Sequence, residues 1–405
     1  MSRTTAVFAA AAFATLAACS GGPHSSYTPV NNAPSFLLRG AAVEEAVLHS
    51  FSGGATDGAA PSGLIKVGNL LYGTSFSGGR YDKGTVFSIS PDGTNFTVLH
   101  SFKGKQADGV SPAGITNVNG TLYGTTKDGG TDGKGTVFSI TTAGALSTLY
   151  SFKGGKRDGA TPEAPLTNLN GTLYGTTAAG GDVDNGACLN CGTVFSISTG
   201  GQEKVLYFFG SKKDDGGSPG SKLVSLGGKL YGTTTNGGIG GVTGNGTIFS
   251  VTTGGKETVL YRFKDESDGS CVFNCYLMSL GGTLYGTAYK GGKNHLGSVF
   301  SVTTGGNFKT LYSASVKGNA GGNPDAALTT VGGTLYGTMS EGPVGKRGSL
   351  FSITTSGALK TLYAFTGSDG AKPSTPLILI GKTLFGTTEK GGSKDLGTIY
   401  SISGF

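Results

Sequence analysis

The stretch "GTLYGTT" occupies Gly120–Thr126, and the same seven letters return at Gly171–Thr177. Near copies begin at Asn69 ("NLLYGTS"), Gly228 ("GKLYGTT"), Gly282 ("GTLYGTA"), Gly333 ("GTLYGTM") and Lys382 ("KTLFGTT"). The central glycines of the seven copies are Gly73, Gly124, Gly175, Gly232, Gly286, Gly337 and Gly386, spaced between 49 and 57 residues apart. A period near 50 with several strand signals per unit belongs to repeat architectures of the propeller type.

Each unit carries four phrases in fixed order. In the second they are "PAGITNVN" from Pro112, "GTLYGTT" from Gly120, "GTVFSITT" from Gly135 and "LSTLYSF" from Leu146. All are short and rich in β-branched and aromatic residues. Asn119-Gly120, Asn170-Gly171, Gly227-Gly228, Gly281-Gly282 and Gly332-Gly333 separate the first two phrases, as two-residue hairpin turns require. Each unit therefore predicts one four-stranded antiparallel meander. The fourth phrase also precedes the first unit, as "AVLHSF" at Ala46–Phe51, while the last unit stops after its third, "GTIYSIS" at Gly397–Ser403. An N-terminal fourth strand can then complete the last blade and remove its exposed edge. The expectation is an all-β, seven-bladed β-propeller over residues 44–405. "GTLYGTT" becomes the second strand of each blade. Its Leu and Tyr pack against neighbours, and its Gly leaves room for close backbone approach or for an aromatic of the next blade.

Taken together, "LYGTT", the following Gly pair, "GTVFSI", "TLYSF" and "DGxxP" resemble the GloVer (Gloeobacter–Verrucomicrobia) tandem repeat of bacterial envelope and secreted proteins, from about Ala46 to the C-terminus. A kelch-like layout is a more distant resemblance. The resemblance implies an exported, anchored repeat protein and brings no catalytic residues with it.

The N-terminus agrees with export. Arg3 precedes the apolar run Ala6–Ala18, and Leu16-Ala17-Ala18-Cys19 resembles a bacterial lipobox. Residues 1–18 are read as a lipoprotein signal peptide, Cys19 as the lipid-attachment site and 19–43 as a flexible tether. Ser20 after that Cys suggests the outer membrane. The protein is then extracytoplasmic and membrane-anchored through lipid, and monomeric.

Composition narrows the chemistry. The chain has 76 Gly and no Trp among 405 residues, and its net charge of +7 comes from scattered Lys without a basic run or RNA-binding motif, so nucleic acid is not expected as a partner. No cofactor or metal motif appears. Asp57, Asp108, Asp158, Asp215 and Asp369 recur in "DGxxP", which reads as a turn motif rather than a metal ring. His49 and His100 fill the slot held by Tyr150, Tyr207 and Tyr261 in other units.

Function in a repeat array concentrates where units differ. The loop between second and third strands is longest in unit three, which holds Cys188 and Cys191; Cys271 and Cys275 precede unit five. In an oxidising compartment these four cysteines suit disulfides, with local pairs 188–191 and 271–275 favoured over a cross-blade staple or a zinc site. Asp182, Asp184, Asn185, Asn190, Asp265, Glu266, Asp268, Asn294 and His295 depart from the repeat in units three to five, and are the candidate contacts for an envelope protein or glycan. A rival reading makes the protein a glycan hydrolase or lyase that uses Glu163 and Asp325. Each follows the Pro opening a first strand. They lie three blades apart, which favours two separate solvated acids over a catalytic pair. A purely structural envelope role is the third reading.

Overall fold

In the computed structural model the described residues are 43–405, apart from 105–107, 182–189, 213, 239–243, 265–267, 316–320 and 343–344. The signal peptide, Cys19, the tether, Asp182, Asp184, Asn185, Cys188, Asp265 and Glu266 lie outside them.

Each repeat forms one antiparallel sheet, and seven such blades make a β-propeller. Blade 2 shows the pattern: Val110–Val118, Thr121–Asp128, Thr136–Ile140 and Leu146–Ser151 pair in chain order. Between its first two strands Asn119 and Gly120 have φ of 49° and 88°, the left-handed pair that a tight hairpin needs. The ring closes in blade 7, where Glu44–Ser50 pairs antiparallel with Thr398–Ser403, Glu44 opposite Ser403 and Ser50 opposite Thr398. The N-terminal strand thus supplies the missing fourth strand.

The core lies between blades. Tyr72 and Val86 of blade 1 share one apolar cluster with Phe102, Ile115, Leu122, Phe138 and Ile140, four of which belong to blade 2. Phe51, Phe102, Phe152, Phe209, Phe263 and Phe365 follow the fourth strands and are fully buried. Each meets an aromatic ring of the next blade's third strand edge-on, as Phe51 meets Phe87 at 5.4 Å.

The central Gly of the repeat answers to its own blade rather than the next. Gly124 stands opposite Phe138 of the third strand, and a Cβ on Gly124 would lie 2.5 Å from Phe138 Cζ. The same contact recurs at Gly73 with Phe87 and at Gly175 with Phe195. The ring lies flat across the glycine and fills the place of a side chain.

The following Thr joins blades. Thr125 Oγ1 donates to Ala164 O at 2.9 Å, Thr233 Oγ1 to Cys275 O at 2.8 Å and Thr287 Oγ1 to Ala326 O at 2.9 Å, each acceptor belonging to the innermost segment of the next blade, within its first strand or in the break that interrupts it. These hydroxyls are buried, so each bond both links two sheets and satisfies a polar group that water cannot reach.

The repeated Asp is a structural turn residue. Asp158 accepts from Lys153 N and Gly159 N, both at 2.7 Å, and from Tyr150 Oη at 3.0 Å. His49 and His100 stand in the tyrosine slot and bond Asp57 and Asp108 at 3.1 and 2.8 Å. Burial alone would raise the Asp57 pKa, but hydrogen bonds from His49 and Ser52 outweigh it and hold the carboxyl below its ordinary value.

Candidate functional site: the central channel

The innermost strand of each blade is interrupted where it reaches the propeller axis. In blade 2 the register slips between Pro112 and Ile115, and in blade 1 between Pro61 and Leu64. In blades 3, 4, 6 and 7 an extra residue after the Pro breaks the strand in two, as at Pro324 and Thr329 of blade 6. Bulges of this kind re-aim side chains. Here they turn short segments of all seven blades toward one central cavity of about 790 Å³.

Two positions of that segment carry the polar groups. Directly after the Pro stand Ser62, Ala113, Glu163, Gly220, Asp325 and Ser374 in blades 1, 2, 3, 4, 6 and 7. Directly before the buried apolar residue that resumes the strand, blades 1 to 7 present Gly63, Gly114, Pro165, Lys222, Tyr276, Ala327 and Pro376. Five of these seven are small or cyclic; the adjacent blades 4 and 5 alone place long polar side chains there. A third ring at the ends of the second strands adds Phe76, Lys127 and Glu389 to the cavity wall.

Glu163 and Asp325 therefore face the same cavity. Although three blades apart in sequence, they line one cavity because every first strand is innermost. Glu163 Oε1 is ion-paired with Lys127 Nζ at 2.6 Å, both about one-third exposed. Tyr276 links the two acids electrostatically. Burial chiefly, and then the charges of Asp325 and Glu163, push its phenol well above the usual tyrosine range, so its hydroxyl keeps its proton. Lys222 keeps accessible surface within the cavity, and the surrounding protein, by partly desolvating it, lowers its pKa. It makes no ion pair or hydrogen bond with any described residue.

Blade 5 departs furthest from the pattern. Its first strand, Ser270–Leu280, loses register between Ser270 and Cys275, and a Cys271–Cys275 disulfide with Cα atoms 5.0 Å apart clips the excursion shut. The clip ends one residue before Tyr276. Cys191 is also disulfide-bonded.

The other predicted contacts have local duties. Asn190 accepts from Gly180 N at 2.6 Å, as Asp82 and Asp395 accept from Gly78 N and Gly391 N in their blades. His295 takes the same left-handed turn position, φ 59° beside 53° for Asp82. Asn294 Nδ2 donates to Ala314 O at 3.0 Å. Asp268 is buried and accepts from Tyr261 Oη and Lys264 N, the role of the repeated turn aspartate. None of these four lines the central cavity. Lys222 and Tyr276 escaped the sequence reading. The signal for them was an alignment of the residues before each buried Leu or Ile, which exposes Lys and Tyr among Gly, Pro and Ala.

The Gloeobacter/Verrucomicrobia repeat matches residues 28–241 and again 184–400. The chain belongs to this repeat family. No curated protein matches it. Among solved structures, an oligogalacturonate lyase in complex with manganese superposes with a TM-score of 0.52 at 11% identity, covering 90% of this chain and 98% of the lyase. The tricorn protease (TM-score 0.42, 11% identity, 81% of this chain) and TolB from Acinetobacter baumannii (0.41, 17%, 69%) are longer proteins, of which this chain spans 27% and 59%. At 11% identity the likeness of the Gloeobacter/Verrucomicrobia repeat protein to the lyase is one of fold alone.

Proposed function

We propose that this Gloeobacter/Verrucomicrobia repeat protein is a binding module that takes a hydroxyl-rich, glycan-type ligand end-on into its central channel. The observation that carries this reading is the single axial cavity of about 790 Å³, where the sevenfold repeat gives way to blade-specific side chains. At the repeated strand positions that are described, the blades hold near-identical residues whose hydrogen bonds and packing are spent within the fold. Carboxylates at Glu163, Asp325 and Glu389 accept from sugar hydroxyls, and Phe76, 46% exposed, offers an apolar face to a sugar ring.

Binding is favoured over hydrolysis because Glu163, one of the two acids a hydrolase would need, is taken up by an ion pair with Lys127 at 2.6 Å. The ligand reaches the protein at the cell envelope, where the reading places it by export and acylation of Cys19.

Two experiments test this. Ala113 faces the cavity, and Ala113→Trp fills it without touching the blade cores. On an oligosaccharide array the wild-type body, residues 43–405, retains a glycan that the Trp variant loses at unchanged melting temperature; equal retention by both sinks the channel as the site. Separately, Cys19→Ser moves the protein from the membrane to the soluble fraction, and a variant that stays membrane-bound removes the lipid anchor from the reading.

A further inference from the structure

The channel is not uniformly acidic. Glu163 and Asp325 stand directly after the Pro, whereas Lys222 and Tyr276 occupy the later position, next to the residue where the strand resumes. Lys222 is exposed within the cavity and has no partner among the described residues, whereas Lys127 in the same cavity is paired with Glu163 and Lys212 outside it with Glu257 at 3.2 Å. Beside Lys222, in the adjacent blade, Tyr276 contributes a hydroxyl that makes no hydrogen bond with a described residue. The two groups are donors and sit at one level of the same cavity.

We propose that Lys222 and Tyr276 form an anion subsite within the channel that receives the carboxylate of an acidic sugar, while Glu163, Asp325 and Glu389 take its hydroxyl groups. This rests on the channel being the ligand site, and it names the class of ligand. Three physical points support it. First, of the two lysines lining the cavity Lys127 is paired with Glu163, whereas Lys222 has no partner among the described residues and draws an incoming anion. Second, the same acids keep the Tyr276 phenol protonated, which makes it a donor to an anion at every working pH. Third, loss of water weakens the ammonium's own hydration, so an incoming anion restores what the channel took away. The disulfide at Cys271–Cys275 anchors the strand that carries Tyr276 and keeps this geometry from relaxing.

The test compares a trisaccharide ending in glucuronic acid with its methyl ester, which has the same shape and no charge. Titration calorimetry on wild-type protein gives the first result: the acid binds at least about tenfold tighter, a difference of about 1.4 kcal/mol. Lys222→Met then lowers acid affinity to that of the ester and leaves ester affinity in place, while Lys222→Arg keeps part of the preference. Tyr276→Phe reduces the preference without abolishing it. Equal binding of acid and ester by the wild type overturns the anion subsite and leaves the glycan reading standing. Failure of both probes to bind overturns the two together. Because the acid–ester comparison is made on the wild type, it does not depend on any variant folding.

Discussion

Gly124 illustrates what one residue of the repeat is for. Its missing side chain is the space into which Phe138 lies, so Gly124→Ala would drive a methyl to 2.5 Å from a buried ring carbon. Overpacking of this sort costs about 1–3 kcal/mol, and urea unfolding of Gly124→Ala will show a midpoint lowered accordingly with unchanged slope. The sequence marked this glycine for close backbone approach or for an aromatic of the next blade; the backbone approach is there, Gly114 O lying 2.7 Å from where a Cβ would stand, but the aromatic belongs to the same blade. The register that places Phe138 opposite is a property of paired strands, which the one-dimensional pattern does not display. A second residue-scale expectation concerns Glu203. Burial, with the nearby Asp158 charge, raises its carboxyl from 4.5 to about 7. A carboxyl whose folded pKa exceeds its unfolded one stabilises the fold below about 4.5 and loses that contribution as pH rises to about 7. Asp57 and Asp369 act oppositely, since both are held below 3.8 and their contribution disappears only as pH falls through that range. The melting temperature should therefore decline between about pH 4.5 and 7, and Glu203→Gln should flatten that decline. A wild-type curve with no slope there would contradict the assignment.

At the scale of the element, the interrupted first strand turns a structural repeat into a site. The repeat phrases of strands two, three and four were legible because every blade obeys the same packing rule and the same letters recur. First strands resist such reading. Their axial segments vary in length by a residue, contain Pro or Gly, and give up ladder hydrogen bonds to face the channel. Glu163 and Asp325 were noticed because acids follow a Pro in only two units, whereas Lys222 hides behind an alignment shift of one residue. Tyr276 hides further, since unit five keeps Asp268-Gly269 but lacks the Pro of the "DGxxP" phrase. The Cys271–Cys275 bond spans the place where that Pro is missing. Cys271→Ala/Cys275→Ala should consequently weaken glycan binding several-fold while the β-sheet circular dichroism spectrum is retained. Loss of fold in that variant would mean that the bond supports the blade rather than the channel wall.

For the whole molecule the decisive contact is the pairing of Glu44–Ser50 with Thr398–Ser403. It was foreseeable because one phrase was left over at the start of the body and one was missing at its end. Removing residues 43–50 leaves the last blade with a bare edge. Such a variant should melt at lower temperature and elute as dimers or larger species, which size-exclusion chromatography will detect. Phe51→Ala attacks the same junction through its core. The ring is fully buried against Phe87, and its loss costs about 3–5 kcal/mol. The pairing also has a bearing on how the protein is made. Its first strand to leave the ribosome waits for its last, roughly 350 residues later, or on the order of tens of seconds of translation. Six blades can assemble in succession during that interval, each covering its predecessor, but the circle stays open until Thr398–Ser403 has been made. Throughout, the nascent chain carries an unmated strand at its leading end, a standing need for a chaperone or for passage across a membrane before the two ends are allowed to meet.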